Sequence, residues 1–131
     1  MGTEHLDLKS LFRAVSQLER AYAKAPADDL ARDGCIQRFE YTFELCRKML
    51  RRHLELMGME DAARMTLKDL YREAADAGLI KDSKRWFRYQ EARNITSHIY
   101  DESKAEKVFQ EGAEFVSDAK FLLNELLDRH A

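Results

Sequence analysis

D-G-C-I-Q-R-F-E-Y-T-F-E-L-C-R-K-M-L-R-R-H-L-E-L, Asp33 to Leu56, is the stretch on which the fold of this 131-residue chain turns. Ile36, Phe39, Phe43, Cys46, Leu50 and Met57 recur near a period of 3.5 and make one core seam. Tyr41, Leu45 and Met49 widen the apolar surface on a second side. A helix apolar on two sides is central in a bundle, or packs against both its own bundle and a partner. The spacing predicts one long helix that starts at Asp29 or Asp33 and ends at Leu56, with Gly58 as its C-cap. About 16 Å of helical rise separates Cys35 from Cys46. That is too far for a disulfide, and both read as small buried apolar residues.

Upstream, Leu8, Leu11, Phe12, Val15, Leu18 and Tyr22 make the stripe of a first helix over about His5 to Lys24. Pro26 with Asp28-Asp29 marks the turn between the two. Downstream, Thr66 reads as the N-cap of a short helix carrying Leu67, Leu70, Tyr71 and Ala74, closed at Gly78. Asp82 or Ser83 caps a fourth helix with Trp86, Phe87 and Tyr89, and Trp86 reads as core or interface. Ser103-Lys104-Ala105-Glu106 has the form of a capping box, which starts a last helix at about Lys104. Val108, Phe109, Phe115, Val116, Ala119, Leu122, Leu123, Leu126 and Leu127 give it an unbroken core stripe. His5 and His130 read as terminal residues. No period-two alternation and no Asn-Gly hairpin appears. The expected fold is all-α: an up-and-down bundle of four to five helices in a single domain, residues 1–131.

The composition, 45% hydrophobic and 35% charged with one Pro, suits a soluble helical protein and not a disordered one. A net charge of -2 gives no global basic field, so any RNA contact must come from a local patch. Arg47, Lys48, Arg51 and Arg52, followed by His53, are the candidates for that patch. No apolar run approaches the roughly 18 residues of a membrane span. The start M-G-T-E-H-L-D lacks a signal-peptide core, so a cytoplasmic location is expected. Phosphate-binding glycine motifs, H-E-x-x-H and Cys/His clusters are absent from the sequence, so neither a cofactor nor a metal is expected.

What remains is R-N-I-T-S-H-I-Y, Arg93 to Tyr100. Arg93 can hold a phosphate through a rigid donor fork, and His98 can move a proton near neutral pH. Tyr100 adds a hydroxyl and an aromatic face. On one continuous helix Arg93 and His98 diverge by roughly 140°. Either the helix ends or bends near Thr96-Ser97, or a second copy of the chain completes the site. The economical chemistry is metal-free acid-base catalysis through His98, with Arg93 stabilising a phosphoryl-like charge. RNA cleavage fits, because the 2′-hydroxyl is a built-in nucleophile.

Arg93, four residues, His98, one residue, Tyr100 resembles the Arg-x4-His-x-Tyr signature of HEPN-domain proteins. The helix Arg32 to Leu45, G-L-I at Gly78 and the Trp86 that precedes R-N-I-T-S-H-I-Y make the chain similar to the HepT-like group. That group is also described as nucleotidyltransferase substrate-binding proteins. One departure is Cys46-Arg47, where an Ala/Trp-like pair is common. The resemblance implies a homodimeric helical bundle partnered by a minimal nucleotidyltransferase. It implies a metal-independent endoribonuclease toxin of a toxin-antitoxin pair, with Arg93 and His98 catalytic and Asn94 supporting. It further implies that the partner modifies Tyr100 with AMP. The alternative it carries is a non-catalytic substrate-binding subunit of a two-protein nucleotidyltransferase.

Overall fold

The computed structural model describes residues 6–24 and 26–131. Its axis is α2, Asp29–Leu56, whose first turn is closed by the Asp28 carboxylate accepting from the Ala31 amide at 2.9 Å. The expected seam is buried at Ile36, Phe39, Phe43, Cys46 and Leu50, but its last expected member, Met57, is the C-cap beyond the helix and is 63% exposed. α1, Lys9–Ala23, lies antiparallel against it. The contacts Cys35 to Ala21, Arg38 to Gln17 and Thr42 to Ala14 run in opposite chain directions and fix that register.

α3, Leu67–Asp76, is capped by Thr66, and α4, Ser83–Asn94, by Asp82. α5, Glu102–Arg129, returns along α1, α2 and α4. Gly58 and Gly78 follow α2 and α3 with φ of 100° and 76°, a left-handed turn that only glycine enters without strain. Single 3-10 turns at Ala62–Arg64 and Thr96–His98 complete the path. Among the described residues there is no strand, and no helix is long and apolar enough to cross a membrane.

Where α2, α4 and α5 meet, the core is aromatic. Phe43 faces Trp86 at 5.7 Å and Phe115 at 5.6 Å, and Trp86 meets Phe115 edge-on at 5.5 Å. Ring pairs at such distances add about 0.5–1.5 kcal/mol beyond the area they bury. A carboxylate is buried here: Asp118 accepts from Arg85 Nε at 2.9 Å and from the Tyr89 hydroxyl. Burial pushes the Tyr89 phenol well up, so it stays protonated and serves as a donor. At the α1–α5 seam, Tyr22 stacks on Phe109 and donates to the Phe109 carbonyl at 3.0 Å. The room for its phenol comes from Gly112, where an added Cβ would stand 2.2 Å from the Tyr22 oxygen.

Several expectations change. α1 begins at Lys9, with no side-chain cap at Leu8; the predicted start at His5 lies outside the described residues. Phe12 and Leu127, read as core stripe, are 54% and 38% exposed, because their faces line an open groove instead of a neighbouring helix. The cap of α5 is Asp101, not Ser103. Its carboxylate takes the Ser103 and Lys104 amides and the Ser103 hydroxyl, so the helix starts two residues early. The Ser103 hydroxyl, then the Lys104 amide, hold the Asp101 carboxyl below its ordinary range. His130 is not a loose tail residue: its Nε2 lies 2.8 Å from His53 Nδ1, and its Nδ1 accepts the Leu6 amide at 3.4 Å.

Candidate functional site

α4 ends at Asn94, and the chain tightens into the 3-10 turn Thr96–His98 before α5 begins. The helix therefore does end near Thr96. Ile95 takes the last α4 carbonyls, and the His98 amide donates back to the Ile95 carbonyl at 3.0 Å. Thr96 is the buried residue of the turn, whereas Ser97, His98 and Tyr100 are exposed. An unburied turn lets short polar side chains face solvent, which a core position of α4 would forbid.

His98 Nδ1 lies 3.2 Å from the Tyr100 hydroxyl, with the two rings edge-on at 5.8 Å. Tyr100 is 83% exposed, the most exposed large apolar or aromatic side chain described. Among the described residues His98 Nε2 has no hydrogen-bond partner. The pair can therefore relay a proton between ring and phenol while the second ring nitrogen meets a ligand.

Arg93, in the last turn of α4, turns back onto α2. Glu44 Oε1 accepts from its Nε at 2.7 Å and also from Nη2. Nη1 lies 3.3 Å from Glu40 Oε2 and 3.4 Å from the Thr96 hydroxyl. That hydroxyl is 2.8 Å from both Glu40 Oε2 and the Arg93 carbonyl, and its single proton serves one of them at a time. Glu40 and Glu44 are the site residues that sequence reasoning missed. Their spacing of four on α2, each directly after a seam residue, Phe39 or Phe43, was a usable signal. Nη1 makes the longest contacts of the fork.

Asn94 is held through its side-chain oxygen by Gln90 Nε2 at 3.0 Å. Gln90 Oε1 in turn accepts from the Tyr71 hydroxyl at 2.7 Å and from Arg47 Nη1 at 3.2 Å. The basic run divides. Arg47 joins this network, and Lys48 and Arg52 are exposed. Arg51 Nη1 donates to the carbonyls of Ala62 and Met65 at 2.8 and 2.9 Å, which secures the loop after α2. His53 is buried. No group of three or more His, Cys, Asp or Glu among the described residues could hold a metal.

Comparison with known proteins agrees with this fold. A family model described as "Nucleotidyltransferase substrate binding protein like" matches residues 6–128. A Haemophilus influenzae protein named "Probable ribonuclease HepT" is 34% identical, covering 99% of this chain and 98% of its own. A solved Haemophilus influenzae structure, described as revealing the fold of a substrate binding domain of a nucleotidyltransferase, superposes with a TM-score of 0.86 at 34% identity. The match covers 92% of this chain and 99% of that one. A Thermus thermophilus crystal structure matches with a TM-score of 0.73 at 27% identity, over 88% of this chain and 98% of that one.

Proposed function

This chain belongs to the nucleotidyltransferase substrate-binding protein-like family, and on that premise we propose that it is a metal-independent endoribonuclease of the HEPN type, restrained by a partner minimal nucleotidyltransferase. The observation that carries the reading is the exposed His98–Tyr100 pair on a turn that follows Arg93 directly. Kinship to a protein named as a probable ribonuclease supports it.

In the proposed reaction a base removes the proton of a ribose 2′-hydroxyl, and the oxygen bonds to the adjacent phosphorus. The bond from phosphorus to the 5′-oxygen breaks, and an acid protonates that oxygen as it leaves. The products are a 2′,3′-cyclic phosphate and a free 5′-hydroxyl. His98 is one of these proton carriers, and Arg93 faces the charge that develops on the phosphate. A base and an acid are both needed, and each chain has one His98, so a two-fold homodimer supplies the pair. Asn94, tied through Gln90 to Arg47, supports the site beside Arg93. Lys48 and Arg52, with Arg47 at their edge, draw the RNA backbone; Arg51 contributes charge while holding its loop. The partner silences the protein by placing AMP on Tyr100, which sets an anion where the RNA phosphate must lie. The pair acts as a cytoplasmic toxin and antitoxin.

A second reading, a non-catalytic subunit that presents substrate to the nucleotidyltransferase, draws on a different observation. Arg93 already faces two carboxylates, Glu40 and Glu44, which a phosphate must displace. Incubating the purified protein with RNA and excess chelator separates the two readings. Cleavage that leaves cyclic phosphate ends supports the endoribonuclease. Intact RNA at micromolar protein supports the presenting subunit.

A further inference from the structure

Of the five large apolar or aromatic side chains that the fold leaves exposed, two share one groove. Phe12 and Leu127 line an open cavity of about 710 Å³ between the start of α1 and the end of α5, with Leu6 and Leu8 at its floor. Lys9, Arg13 and Arg20 stand around it. None of the three makes an ion pair among the described residues. The one carboxylate of the lining, Asp7, is taken up by the Lys9 amide at 3.0 Å. The groove is therefore apolar inside and basic at its edge.

A third exposed side chain has the opposite surroundings. Leu30, 81% exposed, stands on the first turn of α2 among Asp28, Asp29 and Asp33. The side chain of Asp29 is 80% exposed. Arg32 on the same turn is shared among Asp29 at 3.7 Å, Asp33 at 3.3 Å and Glu102, so one guanidinium and Lys24 of the preceding loop stand against four carboxylates, and the collar stays acidic. This is an apolar knob in an acidic collar.

We propose that the groove at Phe12 and Leu127 seats the Leu30 knob of a second copy of this chain. Charge complementarity selects the occupant: three unpaired cations meet an acidic collar, and an apolar cleft meets an exposed leucine. A chain cannot place its own Leu30 in its own groove. α1 and α2 are antiparallel, so Leu30 lies at the far end of α1, about 22 Å along a 15-residue helix. The contact is head-to-tail, joining two different surfaces, and it builds rings or chains of copies. It is separate from any two-fold contact at His98 and does not depend on the ribonuclease reading.

Sedimentation velocity over a concentration series tests it. The wild-type chain is expected to form a larger assembly than Leu30→Asp, with the dissociation constant of that assembly raised about tenfold or more by the substitution. Arg13→Glu with Arg20→Glu should do the same, as should Asp29→Lys with Asp33→Lys. One chain carrying all four reversals should regain the larger assembly. All these side chains are at the surface, and circular dichroism confirms that each variant is folded. Should Leu30→Asp fail to fold, the charge reversals decide alone. Equal sizes for wild type and the disrupting variants at every concentration overturn the proposal. So does a four-fold variant that stays as small as its parents.

Discussion

Two histidine contacts stand at opposite ends of α5, and they are built in opposite ways. At its start, His98 meets Tyr100 in the open, on a turn outside any α-helix. At its end, His130 meets His53, which is 2% exposed on the last turn of α2. Burial first, then the neighbouring His130 and Arg129, lower the affinity of His53 for a proton. Its charged form is disfavoured there, and the ring forms a hydrogen-bonding wedge between α2 and the chain end. The residue type is the same at both ends; the surroundings assign one to solvent and the other to the scaffold. A histidine near a basic run, as His53 is, is thus no guide to a site until its burial is known.

The sharpest way to break this contrast is His98→Ala. It should lower RNA cleavage by about 10²-fold or more, the scale of a lost proton carrier, with the thermal midpoint unchanged. Initial rates and a melting curve on the same preparation check both halves. A variant that cuts at the parental rate removes His98 from the chemistry. His53→Ala should do the reverse. It opens a small cavity and leaves His130 without its ring partner, at a cost of about 1–3 kcal/mol, while the folded fraction cleaves normally. Denaturant midpoints beside rates per folded molecule test that.

Tyr100→Phe sharpens the solvent-facing end. The ring is exposed, so stability should hold, while co-expression with the cognate nucleotidyltransferase should no longer add AMP. Intact-mass measurement reads this directly, and an adduct persisting in the variant places the modification elsewhere. The smallest effect concerns pH. A histidine whose folded proton affinity is lowered leaves the unfolded state binding more protons as pH falls below about 6.5. Stability should therefore fall from pH 8 to pH 5, and His53→Gln should flatten that slope. Urea titrations at the two pH values measure the difference.

Local spacing made the helices legible. The Ile36–Leu50 seam, the Thr66 cap and the break before α5 all follow from neighbours a few residues apart. The nearer of two competing caps was harder: Asp101 outreaches Ser103 because a carboxylate can take two amides at once. The site was legible as a list and not as an arrangement. Arg93, His98 and Tyr100 were read from one short stretch, whereas Arg93's partners Glu40 and Glu44 lie about fifty residues upstream. The groove exposing Phe12 and the His53–His130 contact are equally non-local. Arg51 belonged by charge to the basic run, and only the loop fold claims it for two carbonyls.

Gly112 carries a lesson for anyone redesigning this bundle. Scored one helix at a time, it is a defect in the middle of α5, and alanine there improves helix propensity by about 1 kcal/mol. The added methyl would occupy the place of the Tyr22 phenol, and with it the hydrogen bond to Phe109 that joins α1 to α5. An improvement to the part is a fault in the whole, so any optimisation of α5 has to be carried out with α1 in place.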